Sequence, residues 1–155
     1  MDKLLIGVIS DTHGILRPEA IKALEGSDII IHAGDVGASE VLEALHRLAP
    51  VAAVKGNVDR SGWARNLPET QVVEVGEVRL FVLHELFTLD LDPAVAGFHA
   101  VIFGHSHSPQ LDRRNGVLYL NPGSAGPRRF TLPTTVARIK VAGNTLDVEI
   151  VELKI

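Results

Sequence analysis

Short apolar runs that stop at a glycine or a polar residue recur along this chain and constrain its fold more than any other feature. Leu4–Ile9 leads into Ser10-Asp11-Thr12-His13, Asp28–His32 into Ala33-Gly34-Asp35, and Val51–Val54 into Lys55-Gly56-Asn57. Val78–Leu83 stops at His84, Ala100–Phe103 at Gly104-His105-Ser106-His107, and Val117–Leu120 at Asn121-Pro122-Gly123-Ser124. Runs of this length and β-branched content read as strands buried on both faces. The residues that follow them come to the mouths of those strands, where one sheet edge can gather side chains from distant parts of the chain.

The connections between the runs set the architecture. Pro18–Gly26 has proline at a first turn and glycine at a stop, and reads as a short helix. Ser39–Leu48 carries helical spacing, with Ser39 as candidate N-cap. Strand, helix and strand in alternation imply a parallel sheet with crossover helices. The pattern then changes. Gln71–Val75 and Val78–Leu83 flank Gly76-Glu77, a hairpin signal, and Asp92–Gly97 reads as a short helix. Asn115-Gly116 and Gly143-Asn144 are two-residue turns between apolar-rich runs, so the last third is antiparallel β. The expectation is one domain over residues 1–155, an α/β (α+β) fold in which two mixed sheets pack face to face with helices outside. Arg60–Thr70, with Trp63, is the longest irregular stretch and a candidate active-site loop.

Composition narrows the chemistry. A chain of 155 residues with 46% apolar content buries roughly two thirds of its unfolded surface, enough for an independent core. A net charge of −4 argues against a general nucleic-acid or anionic-membrane binder. The absence of cysteine removes disulfides and thiolate metal sites, so an ion would be held by nitrogen and oxygen. No apolar run reaches the length of a membrane span. A cytoplasmic protein without a membrane partner is expected.

Each strand-end segment has a structural reading beside a chemical one. Asp11-Thr12-His13 can chelate an ion or form an Asx turn. Gly34-Asp35 and Gly56-Asn57 fit ordinary tight turns, and an isolated His84 fits a satisfied structural histidine. Gly104-His105-Ser106-His107 is harder to explain by packing: two imidazoles directly after Val101-Ile102-Phe103 would both lose solvation, with no nearby carboxylate in sequence. His46 reads as solvated, His99 as a surface or edge residue, and His32 as core with a supporting role open to it. Asn121-Pro122-Gly123-Ser124 reads as a turn or as a rigid support for ligands. The joint occurrence of the segments, in order and all at strand ends, favours metal chemistry. It supplies enough donors for two divalent ions, which together can clamp a phosphoryl group.

This series resembles the calcineurin-like metallophosphoesterase superfamily, and within it the minimal YfcE-type phosphodiesterase family. The resemblance runs in order from Leu4 to about Arg128. It implies a four-layer αββα sandwich with a di-metal centre at the strand ends. By motif position one ion is held by Asp11, His13, Asp35 and His107, the other by Asp35, Asn57, His84 and His105, with Asp35 bridging. Asp35, Asn57 and His84 then also carry catalytic roles, and the ions are Mn or else Fe, Ni, Zn or Co. The implied reaction is in-line attack on phosphorus by a hydroxide bridging the ions, on a small phosphate-ester substrate and most of all a phosphodiester. Phosphomonoester or nucleotide hydrolysis at the same site, with Arg17, Arg128 or Arg129 binding a terminal phosphate, is one alternative. A non-catalytic scaffold like the retromer subunit of this fold is another, and a homo-oligomer is compatible with each. Two positions depart from the pattern: Val58 stands where many larger members carry a proton-donating histidine, and Glu85 where glycine is usual.

Overall fold

The computed structural model describes residues 3–129 and 131–155. Among the described residues, ten strands form two five-stranded sheets. In the first, β1 (Lys3–Ile9), β2 (Ile29–His32) and β3 (Val51–Ala53) run parallel, and β9 (Thr135–Ala142) and β10 (Thr145–Glu152) extend it antiparallel on the β1 side, in the order β10-β9-β1-β2-β3. In the second, β5 (Val78–Leu83), β6 (Ala100–Ile102) and β8 (Val117–Asn121) are parallel. The antiparallel strands β4 (Thr70–Val75) and β7 (Gln110–Arg114) flank them, in the order β4-β5-β6-β8-β7.

The strand period explains the layers. Successive side chains of a strand face opposite ways, so Ile6, Val8 and Ile31 of the first sheet meet Leu80, Val82, Ile102, Leu118 and Leu120 of the second in one apolar core. The other face of the first sheet, through Ile9, Ile30 and Val136, packs on Ala20 and Leu24 of α1 (Pro18–Leu24) and on Val41 and Leu45 of α2 (Ser39–His46). The outer face of the second sheet is lined by Phe81, Leu83, Val101, Phe103 and Tyr119 and covered by Phe98, Leu86, Leu89 and Leu91. The sandwich of two mixed sheets is as expected, but this last layer is made of turns. Asp92–Gly97 is a single turn and not the expected helix: the Asp92 carboxylate accepts the Ala94 and Val95 N–H groups, and Gly97 at φ +82° ends it at once.

Other local expectations shift by small amounts. Ser39 is the first helical residue, the cap position falls on Ala38, and the Ser39 hydroxyl donates to Glu40 instead. The loop after β3 contains a 3₁₀ turn at Gly62–Ala64, and Trp63 packs beneath it on the helix-side core with Leu67. Trp63 therefore anchors the loop, while the loop's ends, Arg60 and Glu69, border the cleft described below. Among the described residues no helix is long and apolar enough to cross a membrane.

Candidate metal centre

The parallel strands of both sheets end at the same side of the sandwich, and every candidate ligand lies just beyond such an end. Two groups of ligand atoms converge there, Asp11 with His13 and His107, and Asp35 with His84 and His105, each with its atoms within 4.8 Å of one another. Asp35 joins them: its Oδ2 lies 3.2 Å from His84 Nε2 and 3.6 Å from His13 Nε2. Asp11 Oδ1 is 3.4 Å from His107 Nε2 and 3.9 Å from His84 Nε2. The Asn57 amide reaches both Asp35 oxygens at 3.0 and 3.1 Å and His84 Nε2 at 3.1 Å. All seven residues predicted as ligands are thus brought to one place.

The backbone is bent to achieve this. Among the described residues six non-glycine positions have positive φ, and five of them are Asp11, His13, Asp35, His105 and His107. Side chains rarely adopt this region, at a cost of roughly 1 kcal/mol or more each, and such outliers cluster at functional sites. Close approach fixes two glycines. A Cβ on Gly56 would collide with the Asp35 backbone nitrogen and carboxylate, and one on Gly104 with the Ser10 hydroxyl and, at 2.7 Å, Asp11 Oδ2.

Hydrogen bonds outside the ligand set hold the loops. Ser10 Oγ and the His105 N–H both donate to Asp11 Oδ2, at 2.7 and 3.1 Å. The Val58 N–H donates to Asp35 Oδ1. His84 Nδ1 donates to the Ala33 carbonyl at 2.8 Å, which turns Nε2 toward Asp35. Asn121 donates to the Gly104 carbonyl and to Ser106 Oγ, so it fixes the loop that carries His105 and His107. Asp59 is buried and accepts the N–H groups of Val36, Gly37 and Gly56, tying the β2 and β3 loops together. Sequence reasoning passes over Ser10 and Asp59. A serine before a ligand leaves no signal, whereas an acid three residues after Gly56 is a readable hint of a loop clasp.

Burial and charge oppose each other here. Burial raises the Asp11 carboxyl above its usual range, against the Ser10 hydrogen bond and the charges of His84 and His107. Asp35 is also pushed up by burial, but the bonds from His84 and Val58 and the charges of His84 and His13 win and lower it to about 2. His84 is raised: its partners Asp35 and Ala33 outweigh burial. Burial lowers His107. His105 corrects the expectation that both imidazoles of its segment lose solvation. Its side chain is 45% exposed and its Nδ1 faces Glu85 at 3.5 Å.

These residues fit divalent ions on their own geometry. Asp11 Oδ1, which faces the His107 and His84 Nε2 atoms, is buried with no hydrogen-bond partner. If Asn57 points its amide oxygen inward, that oxygen faces the two carboxylate oxygens of Asp35, a conflict that a cation relieves. Oxygen and imidazole donors without sulfur suit Mn, Fe, Co, Ni or Zn. Beside the second group opens a cleft of about 490 Å³, lined by Lys55, Asn57, Arg60, Glu69, His84, Glu85 and Thr88 among others. Arg17, which the monoesterase alternative offers as a phosphate-binding cation, donates through Nε and a terminal nitrogen to the Gly126 carbonyl. Arg128 and Arg129 are exposed.

Known proteins match this picture. The model of the calcineurin-like phosphoesterase superfamily domain fits residues 4–144. A probable metallophosphoesterase of Methanothermobacter thermautotrophicus is 34% identical, over 96% of this chain and 92% of its own length. The phosphodiesterase YfcE of Escherichia coli is 31% identical over 74% of this chain and 76% of its own. The solved structure of an archaeal phosphodiesterase superposes with a TM-score of 0.78 at 24% identity, covering 96% of this chain and all of the other. On the length of the family match and on these identities, the chain belongs to the calcineurin-like phosphoesterase superfamily.

Proposed function

We propose that this protein is a metal-dependent phosphodiesterase that uses two divalent ions, manganese foremost, and acts as a single domain in the cytoplasm. One observation carries the reading. Two histidine–carboxylate groups meet at Asp35, and among them the buried Asp11 Oδ1 has no hydrogen-bond partner, an acceptor that a cation satisfies. The first ion falls to Asp11, His13, Asp35 and His107, the second to Asp35, Asn57, His84 and His105. When bound, two such ions polarise a phosphoryl group and lower the pKa of water to near neutrality.

The chain's own residues do the rest. Asp35 supplies charge to both ions. The His84 ring is oriented by its bond to Ala33, so Nε2 gives up its proton on binding. Asn57 stands exposed on the cleft wall, where its amide can donate to a phosphoryl oxygen. Val58 has no proton to give, so leaving groups depart best when they are intrinsically good or are protonated by water. Glu85 and Glu69 bring negative charge to the cleft, against Lys55 and Arg60. A carboxylate 3.5 Å from His105 disfavours the dianion of a monoester more than the monoanion of a diester.

The test is to reconstitute the purified protein with Mn²⁺, measure bound metal, and assay bis(4-nitrophenyl) phosphate and 4-nitrophenyl phosphate. Stoichiometric metal and faster turnover of the diester are expected, with loss of at least about 10²-fold in Asp35→Asn and His105→Ala. Trace metal only, or activity indifferent to both substitutions, would sink the enzyme reading and return the chain to the scaffold alternative.

A further inference from the structure

His32 is fully buried at the end of β2 and belongs to neither ligand group. An imidazole in that position is unfavourable unless both ring nitrogens are satisfied. Nδ1 accepts the Gly34 N–H at 3.1 Å, which makes it the unprotonated nitrogen and puts the ring proton on Nε2. Nε2 then donates to Thr12 Oγ1 at 3.0 Å, and the Thr12 hydroxyl donates to the Val36 carbonyl at 2.8 Å. This chain of bonds starts at Gly34 and ends at Val36, the residues on either side of Asp35. Its middle member, Thr12, sits between Asp11 and His13.

All three of those ligand candidates have left-handed backbone, with φ of +56°, +55° and +48° for Asp35, Asp11 and His13. Such conformations persist only where the surroundings over-determine them. A backbone ladder contributes: the N–H groups of Asp11, His13 and Gly14 donate to the carbonyls of Gly34, Asp35 and Val36. It sets the spacing of the two loops. The His32–Thr12 link fastens the same two loops through side chains and closes around the Asp35 peptide units. A leucine would fill the space of His32 but would leave the Gly34 N–H and the Thr12 hydroxyl without that partner.

We propose that His32 is a positioning residue of the metal centre, holding the loop of Asp11 and His13 against the loop of Asp35 through Thr12 and Gly34. The inference rests on the metal-centre reading. Burial, aided by the charge of His84, lowers the His32 pKa to about 3, so the ring stays neutral and the fastening persists across ordinary pH.

The experiment is titration of the metal-free 155-residue protein with MnCl₂ by calorimetry, alongside its thermal unfolding without metal. His32→Leu is expected to weaken Mn²⁺ binding by about 10- to 100-fold. Thr12→Val is expected to do the same, and Thr12→Ser, which keeps the hydroxyl, to stay close to wild type. Should His32→Leu fail to fold, the Thr12 pair carries the test unchanged. Wild-type affinity in His32→Leu or in Thr12→Val overturns the proposal, as does a lowered melting temperature with unaltered Mn²⁺ affinity, which marks a merely structural role. A wild-type protein that binds no Mn²⁺ overturns the metal-centre reading itself, an outcome distinct from equal binding by wild type and variants.

Discussion

The two ligand groups differ in how much of each is built by the protein alone. Asp11 and His107 are buried, half-buried His13 sits against them, and the loops beneath are bonded through Ser10, Thr12 and His32. In the second group Asp35 and His84 are equally buried, but His105 and Asn57 are exposed and face the cleft. The closed group holds its donors on loops braced by hydrogen bonds and largely out of water. The open one keeps two donors in water, where substrate can approach and where water can replace a lost ligand. Under the proposed function this contrast is a division of labour, with a closed half that fixes geometry and an open half that meets the ester.

The most severe way to test that division is through Asp35, which both halves share. Asp35→Asn should abolish stoichiometric binding of both ions and lower kcat/KM by about 10³-fold; retention of one tightly bound ion would show that the halves are independent. Next, His107→Ala should cost more Mn²⁺ affinity than His105→Ala, because removing a ligand from the closed half leaves the buried Asp11 charge poorly compensated. Equal losses by calorimetry would erase the distinction. A purely structural effect comes third. Asp59→Ala orphans three backbone N–H groups that clasp the β2 and β3 loops, and should cost about 3 kcal/mol in urea unfolding.

Acidification acts in opposite directions on two buried histidines, His32 and His84. His32 has a folded pKa of about 3, against 6.5 for a free histidine. Between these values the unfolded chain binds a proton that the folded protein refuses. This stability is therefore present above about pH 6.5 and is lost as pH falls toward 3. Melting temperatures of the metal-free protein from pH 7 to 4 should fall less steeply in His32→Asn than in wild type, and parallel slopes would contradict the assignment. His84 is raised and moves oppositely, losing its contribution as pH rises above 6.5. The smallest effect expected is at Val58. Val58→His should speed hydrolysis of esters with poor leaving groups by about tenfold or less and leave 4-nitrophenyl esters unchanged. No change with poor leaving groups would mean that the open half already receives its proton another way.

Much of this architecture is legible in the order of residues. Alternation and apolar runs locate the strands because burial imposes their period directly on the chain. The ligand segments are legible because they follow those runs, and a parallel strand delivers its last residue to the sheet edge. The expectations that shift are local and balanced on small energies. Ser39 misses the cap position by one residue, and Asp92–Gly97 stops at one turn because Gly97 and the Asp92 side chain close it early.

Periodicity and strand-end position are encoded residue by residue, so the two-sheet sandwich, the common edge and the set of side chains that meet there follow from the chain alone. Tertiary contact settles the rest: His105 stays in water while His107 does not, Arg17 serves a carbonyl, and Asp59, Ser10 and His32 brace the loops. Those outcomes depend on which groups meet across tens of residues of chain. Exposure and hydrogen-bond partnership are set by that meeting and leave no period in the sequence.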